Sequence, residues 1–145
     1  MNQLSDLTAK FFEDFERGIT EPDPELVAAC YADSFMFASP QGAQAIQKDG
    51  FLKVLPRRTA FFKALGLASS KIRTLEETRL DGAYIMVKAG WEMRFENDPA
   101  HSLLAEIAAT YILHQQGNSL RIVFQLDHQD LSKIAEELGL LPLKE

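Results

Sequence analysis

The chain has 145 residues, a formal charge of −6 and a pI near 5.1, with 46% hydrophobic and 25% charged residues. That length fits a single domain over 1–145, and a chain of this size hides about 68–70% of its unfolded surface on folding. Acidity with scattered Lys and Arg disfavours nucleic acid and anionic membranes as partners, since both require clustered positive charge, and the single cysteine, Cys30, excludes an internal disulfide and a cysteine-based metal site.

Residues 3–18 open the chain with Leu4, Leu7, Phe11 and Phe15 at spacings of three and four, which predicts an amphipathic helix ending at Gly18. The N-terminus carries acids and lacks an apolar run of signal-peptide length, and no stretch approaches the roughly 18 apolar residues of a membrane span. The expected location is cytoplasmic. "EPDPE" restarts the chain, with Asp23 as N-cap and Pro24 in the first turn of a short helix over about 24–32. Ser34–Ser39 predicts an apolar strand stopped by Pro40, placed at a sheet edge because proline cannot donate to a ladder. A polar loop follows, and then a third helix over about 50–65, capped by Asp49, kinked near Pro56 and closed by Gly66.

After residue 70 the apolar period falls from 3.6 to 2. Residues 70–80, 83–96, 102–115 and 119–128 predict four strands joined by turns at Asp81-Gly82, Asn97-Asp98-Pro99 and Gln116-Gly117-Asn118. A last short helix is expected over 129–140, capped by Asp130. Helices early and strands late predict an α+β fold: three N-terminal helices over the concave face of a curved, mostly antiparallel sheet, with a short C-terminal helix.

Alternation assigns the faces. In 83–96, Ile85, Val87, Ala89, Trp91, Met93 and Phe95 point inward, and Tyr84, Lys88, Glu92, Arg94 and Glu96 outward. In 119–128, Leu120, Ile122, Phe124, Leu126 and His128 are expected inward, with Arg121, Gln125 and Asp127 outward. The run LLAEIAATYIL is apolar on both faces. A two-residue turn at Gly117-Asn118 directs its odd positions inward; a longer turn or a bulge directs Glu106, Thr110 and His114 inward instead. Since both sides of this strand are hidden, a homodimer through the outer sheet face is expected.

A first helix ending in Gly, a short helix ending "YAD", an apolar strand, "SPQG", a third helix and four strands resemble the nuclear transport factor 2-like (cystatin-like) superfamily, in its SnoaL-like and ketosteroid-isomerase-like branch. The resemblance covers about residues 4–130. It implies a cone whose helices close over a bent sheet around a pocket for a small hydrophobic molecule, without a cofactor. The isomerase pattern has a general-base Asp before the proline, a Tyr in the first helix and a protonated Asp on a late strand. Here those positions fall on Ser39, Phe11 and near Thr110, so the isomerase residues are missing. The same resemblance implies a pocket lined by Phe11, Phe15, Phe37, Trp91, Tyr111, Phe124 and His128.

Two titratable residues are the catalytic candidates. His128 can exchange protons near neutrality, and Glu106, if inward, would have the raised pKa of a buried carboxylate. Ser39 lacks an evident base. Cys30 reads as a small buried hydrophobe, Asp33 as a turn residue, and Arg57-Arg58 as a solvated helix face or a mouth for an anionic ligand. His101, His114 and His128 lack metal-ligand spacing, so no metal is expected. The function expected is small-molecule binding in an apolar pocket. The alternatives are acid–base catalysis on a small ring-bearing substrate, of isomerase, dehydratase or cyclase type, and a protein-interaction module.

Overall fold

A computed structural model describes residues 4–21, 23–98 and 101–129, together with positions 133 and 136. Helix α1 spans Asp6–Thr20, and Ser5 caps it by accepting from the Thr8 N–H at 3.3 Å. It buries Thr8, Phe11, Phe12, Phe15 and Gly18 on one face. Gly18 does not end this helix as expected. It lies inside α1 because the chain behind it passes close: a Cβ there would sit 3.0 Å from Val27 Cγ2. The Ser5 Oγ donates to Glu77 at 2.9 Å and the Thr20 Oγ1 to the Ser70 carbonyl at 3.0 Å, tying both ends of α1 to one strand.

Helix α2, Pro24–Ala29, starts as expected, with the Leu26 N–H donating to Asp23 Oδ1 at 3.2 Å. It stops before 32 because Tyr31 already belongs to strand β1, Tyr31–Ser39. The residues after β1 are not a loop. Gly42–Gln47 forms β2, paired antiparallel with β1 from Ser34↔Gln47 to Ser39↔Gly42. Pro40 therefore occupies the tight turn with Gln41, where no ladder N–H is needed, and Gly42 takes a φ of 136° that favours glycine. The edge strand is β2, while β1 is interior, so the edge expected for β1 is corrected.

Helix α3, Lys48–Ala64, begins earlier than expected and has Gln47 as N-cap without a side-chain bond. Asp49 lies in its first turn rather than at the cap, where its charge still complements the helix dipole. The helix continues through Pro56, and Gly66 follows its C-cap with φ 94°. Strands β3 (Leu67–Arg79), β4 (Tyr84–Asp98), β5 (His101–Gln116) and β6 (Ser119–Asp127) complete one sheet of order β2-β1-β6-β5-β4-β3. β1 and β6 are parallel and the other pairs antiparallel, so the curved sheet is mixed. The expected tail helix lies outside the described residues, apart from Lys133 and Glu136, which are helical.

β4 and β5 obey the predicted alternation. Ile85, Val87, Ala89, Trp91, Met93 and Phe95 are buried, as are Ala105, Ile107, Ala109, Tyr111 and Leu113. Gln116 opposes Ser119 and Leu113 opposes Ile122. The next register pair is Ile112↔Phe124, so Val123 is an extra residue in β6. Beyond this bulge the faces of β6 exchange. Leu120 and Ile122 are buried, but so are Gln125 and Asp127, whereas Phe124 and Leu126 turn to the outer face. The expected inward row therefore holds only as far as Ile122.

The interior is aromatic. Phe15 is 1% exposed, with ring centroids 5.6 Å from Tyr111, 5.9 Å from Tyr31 and 6.0 Å from Trp91. Edge-on pairs of this kind add about 0.5–1.5 kcal/mol each beyond the area they bury. Phe51 and Phe62 of α3 close the other side, Phe51 lying 4.9 Å from Tyr31.

Candidate functional site

The bulge determines what the inward face presents. By turning Gln125 and Asp127 inward it sets a polar chain under the helices. The Tyr31 hydroxyl donates to Gln125 Oε1 at 2.5 Å, and Gln125 Nε2 donates to Asp127 Oδ1 at 3.0 Å. Beside it, Trp91 Nε1 donates to the Tyr111 hydroxyl at 3.2 Å, and Tyr111 faces Gln125 across the β5–β6 ladder. Tyr31 and Tyr111 are nearly sealed, and Asp127 retains 8% exposure. Among the described residues no ion pair reaches Asp127, and no buried side-chain polar atom lacks a partner.

The residues level with Asp127 are small. Ala109 is its register partner on β5, and Ala89 pairs with Ala109 in turn. Along the parallel β1–β6 ladder Phe37 opposes Gln125 and Ala38 opposes Leu126, which brings Ser39 next, level with Asp127. The carboxylate therefore sits in a row of short side chains, while the row beside it carries Phe37 and Tyr111.

Burial raises the pKa of the Tyr31 phenol well above the ordinary tyrosine range, and the charge of Asp127 pushes it the same way. Burial also raises Tyr111, with Asp127 the next cause. Arg58 on α3 opposes both shifts, so its guanidinium acts on the same space, while also lying 5.4 Å above the Phe62 ring centroid. Two protonated phenols, an amide and a carboxylate can orient a polar group on a ligand and exchange a proton with it.

The expected lining residues divide between the two faces. Phe11, Phe15, Trp91 and Tyr111 are buried inside, and half-buried Phe37 lies on the inward face beside Gln125. Phe124 and His128 are corrected to the outer face. His128 is exposed and shares a 2.7 Å hydrogen bond with Thr110 Oγ1. Thr110, expected near the late-strand acid, is thereby also outside. Glu106 is exposed on the outer face, directly across from Glu92. Both catalytic candidates from the sequence therefore miss the interior.

Cys30 is buried and donates to the Leu26 carbonyl, with its thiol pushed up to about 12 mainly by burial, as befits an inert core residue. Asp33 is in β1 and pairs with Lys48 at 3.6 Å rather than making a turn. No group of three metal-ligating side chains occurs among the described residues. A half-open groove of about 370 Å³ lies between Thr74, Gly90, Glu92, Glu106 and Ala108 on the outer face.

Sequence reasoning missed Tyr31, Gln125 and Asp127. The visible trace was Ile122-Val123-Phe124, three consecutive apolar residues where strict alternation allows no such run.

The fold recurs in solved structures. An NTF-2 like protein of unknown function from Shewanella oneidensis MR-1 aligns with TM-score 0.69 and 16% identity over 86% of this chain and 98% of its own. A protein from Shewanella denitrificans OS-217, provisionally named a SnoaL-like polyketide cyclase, aligns with TM-score 0.61 and 14% identity over 93% and 98%. Another from Shewanella frigidimarina NCIMB 400, provisionally named a ketosteroid isomerase, gives 0.67 and 12% over 85% and 95%. At such identities the likeness establishes the fold, and activity has to be argued from the site. No curated protein matches the sequence. The family model described as NTF2-like protein (DUF6841) matches residues 2–130, and with the cone-forming sheet and helices in place the chain belongs to that NTF2-like family.

Proposed function

We propose that the chain binds a small hydrophobic molecule bearing one polar group, between the helices and the inward sheet face, with the polar group held by Asp127 and the Tyr31–Gln125 pair. The observation that carries this reading is the buried carboxylate. A buried carboxylate that no ion pair reaches is a candidate functional group, and Asp127 receives one amide hydrogen bond among the described residues. The side chains in its row, Ala109, Ala89 and Ser39, are short. Neighbours of the same fold carry names of cyclase and isomerase type, which agrees with a site for compact ring-bearing molecules. The acidic surface and the single buried thiol fit the reducing cytoplasm as its place of work.

Catalysis is the second reading, and the phenols of Tyr31 and Tyr111 beside Gln125, one level from Asp127, favour it: Asp127 would take a proton and a phenol would stabilise the oxygen that becomes negative. This replaces His128 and Glu106, which lie outside.

Native mass spectrometry of the purified protein tests the binding reading. The expected result is a small-molecule adduct whose occupancy falls in Asp127→Asn while the melting temperature holds or rises. A chain free of adduct, which also shows no thermal shift with a panel of phenols and cyclic ketones, would overturn it.

A further inference from the structure

Helix α3 is basic in an acidic chain. Lys48, Lys53, Arg57, Arg58 and Lys63 stand against Asp49 alone over Lys48–Ala64, while the whole chain has a net charge of −6. Lys48 is taken up by Asp33 at 3.6 Å. Arg58 differs from the rest in where it stands. At helical spacing Phe51, Leu55, Phe62 and the C-cap Leu65 share one stripe, and that stripe packs on the core. Arg58 falls in the middle of it, three residues after Leu55 and four before Phe62. Its stripe neighbours are buried or half-buried, whereas Arg58 is exposed, so a polar break interrupts the apolar stripe there.

The Arg58 guanidinium lies 5.4 Å from the Phe62 ring centroid and makes no ion pair among the described residues. A guanidinium stacked on a ring keeps its in-plane N–H donors available to a planar anion. The same charge acts on the buried phenols of Tyr31 and Tyr111. Tyr31 in turn lies 4.9 Å from Phe51, two helical turns back, about 10 Å along the axis from the level of Arg58. The cation and the polar chain of Tyr31, Gln125 and Asp127 therefore stand at two ends of one apolar stretch.

We propose that the interior site takes a compact ring-bearing carboxylate, its anionic group held by Arg58 and its far polar group by Tyr31 and Asp127. This rests on the binding reading above and adds to it the charge and orientation of the ligand. The paired donors of a guanidinium match the two oxygens of a carboxylate. Asp127 repels the anionic group from the opposite end, so one orientation is favoured. The basic helix draws anions towards its own end of the molecule.

Two probes of one shape test this: para-hydroxyphenylpropanoate and its neutral amide, titrated calorimetrically into the full chain at low salt. The acid is expected to bind about tenfold more tightly than the amide, and the preference to shrink as salt is raised. Arg58→Gln is expected to weaken the acid about tenfold and to leave the amide within about twofold, which erases the preference. Lys63→Gln removes the same charge from an exposed position off the stripe and is expected to keep the preference. Both positions are exposed, and unchanged circular dichroism establishes that the variants fold. Equal affinity for acid and amide in the unmodified protein, or an equal loss of preference in the two variants, overturns the role of Arg58 and leaves the binding reading standing. A protein that binds neither probe also overturns it; a small-molecule adduct on that protein keeps the binding reading, and its absence removes both.

Discussion

Replacing Tyr31 by Phe removes one oxygen from a buried chain of three polar side chains, and the geometry fixes what is left behind. Tyr31 is 4% exposed and Gln125 8%, so Gln125 Oε1 loses its donor with little access to water. Leaving a buried acceptor unpaired costs about 1–3 kcal/mol. Gln125→Leu costs more, since it strands the Tyr31 hydroxyl and also takes the amide hydrogen bond from Asp127, each at a similar or larger penalty. The double change removes the stranded hydroxyl again. In the Gln125→Leu background, therefore, Tyr31→Phe should be neutral or stabilising, and the coupling between the two positions should be about 1–3 kcal/mol. Urea denaturation followed by Trp91 fluorescence measures all four proteins. Equal costs of Tyr31→Phe in both backgrounds, within about 0.5 kcal/mol, would mean that the two side chains act independently and would refute the chain as drawn.

Two further outcomes follow from burial. Cys30 has its thiol raised from 9.0 to about 12, so the unfolded chain releases that proton before the folded one does; stability is complete below pH 9.0 and falls as pH rises towards about 12, by up to about 4 kcal/mol. Tyr31 and Tyr111, raised above the usual 10.0, steepen the fall beyond that pH, and Cys30→Ala should flatten the denaturation midpoint between 9.0 and 10.0 while leaving the later fall. Gly18→Leu should lower stability by about 1–3 kcal/mol, despite better helix propensity, because its Cβ meets Val27 Cγ2 at 3.0 Å and Val27 N at 3.4 Å; calorimetry showing an unchanged or higher melting temperature would contradict that crossing.

The superfamily, the α+β order and most of the core were legible in the residues themselves. The period of Phe11 and Phe15 marks α1, and the alternation from Tyr84 to Glu96 fixes the faces of β4, because one slip would bury Lys88, Glu92 and Arg94. The Gly117-Asn118 turn left two registers open for β5, and the observed Gln116↔Ser119 pairing selects the one that turns Glu106 outward. These features are local, and each is set by a few neighbouring residues.

Local patterns failed where a choice depended on a distant partner. Gly42–Gln47 is polar and reads as loop, and it becomes a strand because β1 lies beside it; β1 in turn is interior because β6 joins it in parallel. The Val123 bulge is the same kind of decision made on a single residue. A strand obeys alternation until its neighbours favour an extra residue, and here that extra residue moves Asp127 in and His128 out. The sequence by itself determined which residues could form a cone-like fold. Only the tertiary structure decided which carboxylate faces the interior, because the inward face beyond a bulge is set by pairing across strands rather than by the pattern along one.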